Sequence, residues 1–245
     1  MLNYSVIEIS GKDALTFLNS LTTNHIQESS NSIMYSCLLT PNGRFMFDFF
    51  LIQESKHYII TNEGFSDDLI VYLTMYKLSS NITFRKTDLN VHWSRNSGKF
   101  QDPRHSGLGF YEIRIEEHPS NDKQYHINRI SLQIADGFYD LVQKESVILD
   151  FGFDSLNAIS YTKGCYLGQE LIARSHHTGV IRKKIYRLEC ISTTEKGTVI
   201  LQNEIKVGKV LGGVDGHYLA QIRFEKADFF QKFIICDADV SIKIM

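Results

Sequence analysis

The pattern of apolar and polar positions divides the first part of the chain into short strands and two amphipathic helices. Apolar residues recur twice at the i, i+3, i+4 and i+7 spacing of a helical stripe, over 14–21 and over 69–76. Around these helices, short apolar runs predict strands at 4–9, 36–40, 45–52, 57–61, 82–85 and 89–93. The resulting order β-α-β-β-β-α-β-β predicts an α+β domain with its helices on one face of a sheet.

The pattern changes twice farther along the chain. Residues 94–105 are polar and predict a crossing loop, which precedes a second α+β segment with a helix around 124–135. From residue 184, short apolar runs are separated by glycine and charged turns, as in a small all-β barrel or sandwich. We therefore expect two α+β lobes, over 1–95 and 96–182, followed by a C-terminal β-barrel over 183–245.

Composition narrows the classes of function. A formal net charge of −2 argues against a dedicated nucleic-acid binder, which is usually strongly basic. The sequence contains no apolar run of membrane-spanning length, and because Met1 leads directly into a predicted strand we expect no signal peptide. Cys37, Cys165, Cys190 and Cys236 are too scattered for a disulfide framework or a C-x-x-C metal site. We therefore expect a reducing, cytoplasmic compartment, no membrane partner and no metal site.

One stretch, Lys163-Gly164-Cys165-Tyr166-Leu167-Gly168-Gln169-Glu170, holds a cysteine between two glycines. Thr162 as a helix N-cap, with helix from 170 to 174, would place Cys165 near the positive end of a helix dipole and beside Lys163. Both effects lower a cysteine pKa, from roughly 8.5 to about 3.5–7.5. The alternative is an ordinary buried cysteine on a tight turn. The other three cysteines lie in strand-like runs and are predicted core residues.

Several polar residues have both a functional and a structural interpretation. Asp48 interrupts an apolar strand, so its carboxylate either faces inward and needs partners or is turned outward by strand alternation. Glu170 and Arg174 are four residues apart on one helix face, where an exposed pair is worth only about 0.3–0.5 kcal/mol. Gln169 could orient the Cys165 thiol or a bound group, and Lys163 could be a solvated loop lysine.

A local basic patch adds one further alternative. It consists of Arg174, His176, His177, Arg182, Lys183, Lys184 and Arg187. Such a patch is either a solvated face or a dock for acidic groups, on a ligand or on a partner surface.

The cysteine motif over 163–170, together with Arg174, Gly179 and Arg182, closely resembles the signature of the YgfZ family. The helix start at 11–18, the hairpin 38–44 followed by Asp48, and the loop 102–109 are similar to further family motifs. YgfZ proteins are folate-binding proteins tied to the maturation or repair of iron–sulfur enzymes. They share a fold with the glycine-cleavage T-protein, an aminomethyltransferase.

The resemblance implies a T-protein-like ring of three modules around a channel that holds folate, with the cysteine loop at its rim. It implies tetrahydrofolate or a derivative as cofactor, and iron–sulfur assembly or client proteins as partners. The chemistry is then expected at Cys165, with Lys163 and Gln169 beside it. The residues expected to bind the folate are Asp48, Glu170, Arg174, Tyr166 and Arg104.

Two departures from the family pattern concern the folate pocket. His25 stands where family members often have an acidic residue, and the segment 149–154 lacks the proline-glutamate pair that usually precedes the cysteine loop. One alternative function is a folate-dependent aminomethyltransferase with Glu112 or Asp48 as its acid. Another is a non-catalytic factor linked to tRNA modification, which the charge balance disfavours. A single motif cysteine cannot hold a cluster alone, so ligation would need a second protein, a dimer or a small thiol.

Overall fold

The computed structural model describes residues 3–116, 122–179, 182–189, 194–228, 233–235 and 238–244. The α+β class with antiparallel sheets is confirmed. The N-terminal sheet has the strand order β2-β3-β4-β1-β5. Its strands and helices, in chain order, are β1 (Tyr4–Ser10), α1 (Ala14–Leu21), β2 (Ser32–Leu39), β3 (Phe45–Gln53), β4 (His57–Asn62), α2 (Glu63–Lys77) and β5 (Thr83–Lys86). The apolar pattern placed all of these, although β2 and α2 begin earlier than predicted.

The middle of the chain forms a small sheet of its own. It contains β6 (Asn90–Ser94), β7 (Phe100–Gln101) and β8 (Phe110–Arg114), in the order β6-β8-β7. The prediction that 89–93 continues the first sheet is therefore wrong, because β6 pairs with β8 instead. The proposed boundary at residue 95 consequently falls between two strands of one sheet.

In the described part of the chain, three α-helices follow this sheet. They are α3 (Asp122–Ser131), α4 (Gly137–Asp140) and α5 (Gln169–Thr178). Helix α3 ends four residues before the predicted end at 135, and Asp136 caps the short helix α4 by accepting hydrogen bonds from the amides of Phe138 and Tyr139. No helix in the described part of the chain is long and apolar enough to cross a membrane.

The C-terminal strands close into a barrel in the order β10-β11-β12-β9-β14-β13. They are β9 (Lys184–Glu189), β10 (Val199–Gln202), β11 (Ile205–Val214), β12 (His217–Ile222), β13 (Phe233–Ile235) and β14 (Ala238–Ile244). This barrel has a separate apolar cluster that includes Leu188, Val210 and Ile222. The three-module ring stays a prediction.

Strand β3 is buried at all nine positions, because both of its faces are covered. On one face, the Phe47 ring packs against Phe65 and Tyr72 of α2. On the other face, the Phe50 ring packs against Tyr111 of β8. Asp48 is buried, so strand alternation does not turn it outward.

The cysteine predictions have mixed outcomes. Cys37 is fully buried, as expected of a core residue, whereas Cys165 is exposed. Cys190 and Cys236 lie outside the described residues. The alternative of Cys165 as a buried cysteine on a turn is therefore wrong.

Candidate functional site

The Asp48 carboxylate lies in the seam between the N-terminal sheet and α4. Its Oδ2 accepts hydrogen bonds from the Tyr35 hydroxyl at 2.7 Å and from the Gly137 amide at 3.2 Å. A Cβ at position 137 would lie 2.1 Å from Asp48 Oδ1, so only glycine allows this approach. Among the described residues, none donates a hydrogen bond to Oδ1. One carboxylate oxygen is thus left for a water or a ligand.

Arg104 is the buried cation beside this carboxylate, and its hydrogen bonds are largely taken up by protein groups. Its Nε and Nη2 donate to the two oxygens of Asp102, at 3.1 and 2.8 Å. Nη2 also donates to the hydroxyls of Tyr111 and Tyr125, at 3.1 and 2.8 Å. Nη1 donates no hydrogen bond within the described residues, and it lies 3.9 Å from Oδ2 of Asp136. Arg104 therefore organises the seam, with one nitrogen available to a ligand.

Carboxylates outnumber guanidinium groups in this buried region. The side chains of Asp48, Asp102, Asp136 and Asp140 are buried with those of Arg104 and Arg129. Arg104 pairs with Asp102, and Arg129 pairs with Asp140 at 2.6 Å. Asp48 has no ion-pair partner within the described chain, and burial together with the nearby Asp136 raises its pKa to about 7. Asp48 can therefore exchange a proton near neutral pH.

Two cavities meet at Arg104. The first, lined by Asp48, Arg104 and Asp136 among apolar and aromatic side chains, has a volume of about 10 Å³, which is roughly room for one water. The second has a volume of about 520 Å³, and its lining includes Arg104, Leu132, Ile134, Leu149 and Phe151. The second cavity has the size of a site for a small heterocyclic ligand, and its lining combines these apolar side chains with charged ones that include Lys183 and Lys184.

The cysteine loop lies before α5 and not within it. Helix α5 begins at Gln169, and its N-cap is Gly168, at φ 81°, so the prediction of Thr162 as the N-cap is wrong. Cys165 is exposed four residues before the first helical residue. Because the field of a helix dipole falls off within the first turn, the dipole argument for an activated Cys165 has no support from this geometry.

Lys163 anchors the cysteine loop to the end of α1. Its side chain is buried, and Nζ donates to the carbonyls of Asn19 at 2.7 Å, Thr22 at 2.6 Å and Asn24 at 3.0 Å. The ammonium also lies 5.0 Å from the centre of the Tyr166 ring. Burial lowers the pKa of Lys163 to about 8. The solvated loop lysine is therefore wrong, and these bonds assign Lys163 a positioning role.

The glycines of two motifs meet beneath the cysteine loop. A Cβ on Gly168 would lie 2.5 Å from the Thr40 carbonyl oxygen and 3.0 Å from Gly43 Cα. A Cβ on Gly43 would lie 2.9 Å from the Gly168 carbonyl oxygen and 2.7 Å from Leu171 Cβ. Both glycines have positive φ, at 70° for Gly43 and 81° for Gly168. The β2–β3 hairpin and the cysteine motif therefore require glycine at their contact.

The remaining predicted site residues, which are Gln169 from the cysteine chemistry and three from the folate set, do not gather around Asp48. Tyr166 is buried, Gln169 is partly buried at the start of α5, and Glu170 and Arg174 are exposed. None of these four is among the described residues that line the two cavities beside Arg104. Glu170 and Arg174 form no ion pair with each other in the described structure. The exposed His25 lines neither cavity.

Sequence reasoning missed several partners of Asp48 and Arg104. Tyr35, Tyr111 and Tyr125 follow no chemical motif, and only folding brings their hydroxyls to the seam. Asp136-Gly137 is an Asp-Gly turn signal after an apolar run, and it could have marked the start of α4. No group of three or more His, Cys, Asp or Glu side chains suited to a metal ion occurs in the described ranges.

Replacing Lys163 tests its positioning role. We expect Lys163→Met to lower the free energy of unfolding by about 1–3 kcal/mol, because buried carbonyls lose their hydrogen-bond donor. Hydrogen exchange around 160–168 should accelerate at the same time. Urea unfolding and hydrogen exchange measure the two effects, and Lys12→Met, at an exposed lysine, is the matched control. Unchanged exchange in Lys163→Met would contradict the anchor.

Comparison with known proteins identifies a family model and a solved structure that are similar to this chain. Residues 1–93 match the family model of the GCVT N-terminal domain. The crystal structure of the glycine cleavage system aminomethyltransferase T from Bartonella henselae superimposes with a TM-score of 0.77 over 99% of this chain and 83% of that protein, at 11% sequence identity. Fold and family match together define an aminomethyltransferase-like protein.

Similar curated sequences include iron–sulfur cluster assembly factors. The iron–sulfur cluster assembly factor IBA57 homolog, mitochondrial, of Dictyostelium discoideum is 28% identical, over 74% of this chain and 60% of the relative. The human iron–sulfur cluster assembly factor IBA57, mitochondrial, is 26% identical, over 91% of this chain and 76% of the relative. The chain covers less than two thirds of the Dictyostelium relative's length. The chain is similar to proteins of the YgfZ/IBA57 type, as the cysteine motif predicted.

Proposed function

We propose that this protein is a tetrahydrofolate-binding accessory factor in the maturation or repair of iron–sulfur proteins, acting through Cys165. The observation that carries the proposal is the exposed Cys165 on a loop that Lys163 anchors, in a chain similar to iron–sulfur cluster assembly factors. The scattered cysteines make a reducing compartment, such as the cytoplasm, the proposed location.

The position of Cys165 suits a thiol that acts on another molecule. A thiol must be accessible to serve as a nucleophile or as a ligand to a cluster held by a second protein. Cys165 is accessible, whereas Cys37 is buried and burial raises the pKa of its thiol, which makes it inert by comparison. The anchored loop fixes the Cys165 backbone, so a partner would meet the thiol in a defined place.

The folate proposal rests on Asp48, Arg104 and the larger cavity. Asp48 offers a carboxylate oxygen to the amide-like donors of a pterin ring, and Arg104 Nη1 is a donor for a ring acceptor. The space beside Asp48 holds roughly one water, so a pterin would have to occupy the larger cavity or displace side chains. Folate supplies a one-carbon carrier when bound, and these residues would bind and orient its ring.

The thiol is tested in cells that lack their own copy of the protein. We expect Cys165→Ser, as sole copy, to fail to restore the activities of iron–sulfur enzymes that the unaltered chain restores. Thr162→Ala is the matched control, since Thr162 is exposed on the same loop. Normal enzyme activities with Cys165→Ser, at equal protein level, would refute the role of the thiol.

Folate binding is tested on the purified protein. Isothermal titration with tetrahydrofolate should give saturable binding, and Asp48→Asn should weaken it by about tenfold, as one lost hydrogen bond to a charged group does. Asp67→Asn, at an exposed carboxylate, is the control. Ser155→Trp, at the exposed rim of the larger cavity, should weaken binding if the ring lies there. Absence of binding to the unaltered chain would remove folate from the proposal.

A folate-dependent aminomethyltransferase is the second candidate, and the pKa of Asp48 favours it. A buried carboxyl with a pKa of about 7 is suited to general acid–base catalysis near neutral pH. Glu112 is not suited, because its hydrogen bond with Arg114 lowers the pKa of Glu112. Transfer of an aminomethyl group to tetrahydrofolate in vitro, lost in Asp48→Asn, would establish this activity.

A further inference from the structure

One end of the barrel carries a group of positively charged side chains that the proposed function does not use. Lys183 precedes β9, Arg223 follows β12, and Lys206 and Lys209 lie on β11. These three strands are neighbours in the order β11-β12-β9. The register sets Ile222 opposite both Gly208 and Lys184, so the charged residues converge at one end of the strands.

Two grooves that share Lys183 and Arg223 run across this end. The first has a volume of about 450 Å³ and is lined by Asp150, Arg182, Lys183, Arg223, Glu225 and Lys226. The second has a volume of about 210 Å³, and its lining includes Lys206, Lys209 and Gln221. We call Arg182, Lys183, Lys206, Lys209, Arg223 and Lys226 the barrel cation cluster. It sets six cations against the two carboxylates that line these grooves.

The cluster lacks sufficient counter-charge from the described chain. Lys183 pairs with Asp150 at 3.0 Å, but Lys206, Lys209 and Arg223 form no ion pair within the described ranges. Lys209 is only partly exposed, and its burial and the nearby Lys183 lower its pKa. A bound anion would relieve this repulsion, because opposite charge stabilises a partly desolvated ammonium.

The chemistry of the grooves narrows the class of anion. Lysines outnumber arginines in the cluster, so most of its charges are compact ammonium groups that lack the fixed fork with which arginine recognises phosphate and nucleic acid. No aromatic side chain is among the described lining, although single-stranded nucleic acid usually stacks its bases on aromatic rings. The net charge of −2 for the whole chain further disfavours nucleic acid. An extended peptide that carries several carboxylates would fit along the two adjoining grooves and contact lysines in both.

We propose that the barrel cation cluster binds an acidic, extended segment of a partner protein. The cluster would then dock a partner on the barrel through carboxylates that neutralise Lys206, Lys209 and Arg223. This inference does not depend on the thiol of Cys165, and of the cluster residues only Lys183 also lines the larger cavity proposed for folate, so Lys206, Lys209 and Arg223 test it independently of folate binding.

Binding of a fluorescein-labelled hexaglutamate peptide, followed by anisotropy at low and physiological salt, tests the proposal. We expect saturable binding that weakens with salt, and about fivefold or greater weakening in Lys206→Gln/Arg223→Gln, since two exposed ion pairs with the peptide are lost. The charge-preserving Lys206→Arg/Arg223→Lys variant should restore binding. Lys12→Gln/Arg95→Gln removes the same charges at exposed positions outside the cluster and is the matched control.

Three results would overturn the proposal. They are no saturable binding of hexaglutamate, equal weakening in the control variant, and tighter binding of a hexauridine oligonucleotide than of the peptide. Thermal unfolding of each variant establishes that it is folded, and Lys206 and Arg223 are exposed, so their replacement should leave stability nearly unchanged. An NMR titration adds a second readout, because peptide binding should raise the pKa of Lys209.

Discussion

Asp140→Ala should lower the free energy of unfolding by about 3–5 kcal/mol, because it leaves a buried guanidinium without its carboxylate. Asp140 is fully buried, and its Oδ2 accepts from Arg129 Nη1 at 2.6 Å and from the Asp136 amide at 2.8 Å. Its Oδ1 accepts from the Gly212 amide of β11 at 2.8 Å. One side chain therefore neutralises Arg129, supports α4 and ties the barrel to the middle segment.

Urea unfolding measures this loss of unfolding free energy. An uncharged variant that keeps the side-chain oxygen separates the effect on Arg129 from the effect on the contact with Gly212. Asp140→Asn keeps an acceptor for Gly212 but removes the charge, so it should show the cost to Arg129 with the barrel contact intact. Asp67→Ala, at an exposed carboxylate 3.3 Å from Lys86, should cost less than about 1 kcal/mol. A similarly small cost in Asp140→Ala would contradict the proposed role of the pair. Faster hydrogen exchange at Gly212 in Asp140→Ala alone would locate the lost contact.

Elements with a local periodic pattern could be predicted from the sequence. The stripe over 14–21 predicted α1 at the bounds that the structure has, because that pattern depends only on which face of the helix is buried. The run 89–93 predicts a strand, which the structure confirms as β6, but the run does not indicate its pairing with β8. An apolar run indicates that a strand is buried and does not indicate which strand it pairs with.

The same limit applies to the candidate site. The motif around Cys165 is local, so it could be recognised directly, and the chain's class followed from it. The carbonyls that Lys163 binds lie at Asn19, Thr22 and Asn24, more than one hundred residues away, and no local pattern indicates them. The motif alone therefore predicts a chemical role for Lys163, whereas its hydrogen bonds support a positioning role.

Burial also determines the protonation chemistry of Asp48. The alternation of apolar and polar residues in the sequence does not show that both faces of β3 are buried. Every residue of β3 is buried, so the strand lacks the polar face that would mark an outward Asp48. The structure adds the consequence, which is a carboxyl whose pKa is about 7. That pKa makes the protonation of Asp48, and with it the stability of the protein, dependent on pH in an accessible range.

Asp48→Asn should therefore stabilise the protein at pH 8 but not at pH 4. The pKa of Asp48 is about 7 in the folded protein, against an ordinary value of 3.8. Between these two pH values the folded protein keeps the proton of Asp48, whereas the unfolded chain has released it. Stability then falls as pH rises from about 4 to about 7, by about 4 kcal/mol in total for this group. Asparagine resembles the protonated carboxyl, since it can still accept from Tyr35 and Gly137, and it has no proton to lose.

The measurement is the difference in unfolding free energy between Asp48→Asn and the unaltered chain, from urea unfolding at several pH values. This difference should grow between pH 4 and pH 7 and become constant above it, because other titrating groups contribute nearly equally to both proteins. Asp67→Asn, at an exposed carboxylate, should give a difference that barely changes with pH. A constant difference for Asp48→Asn, or one that decreases as pH rises, would mean that Asp48 is ionised in the folded protein at pH 5–6. The acid–base role that favours the transferase alternative would then lose its physical basis.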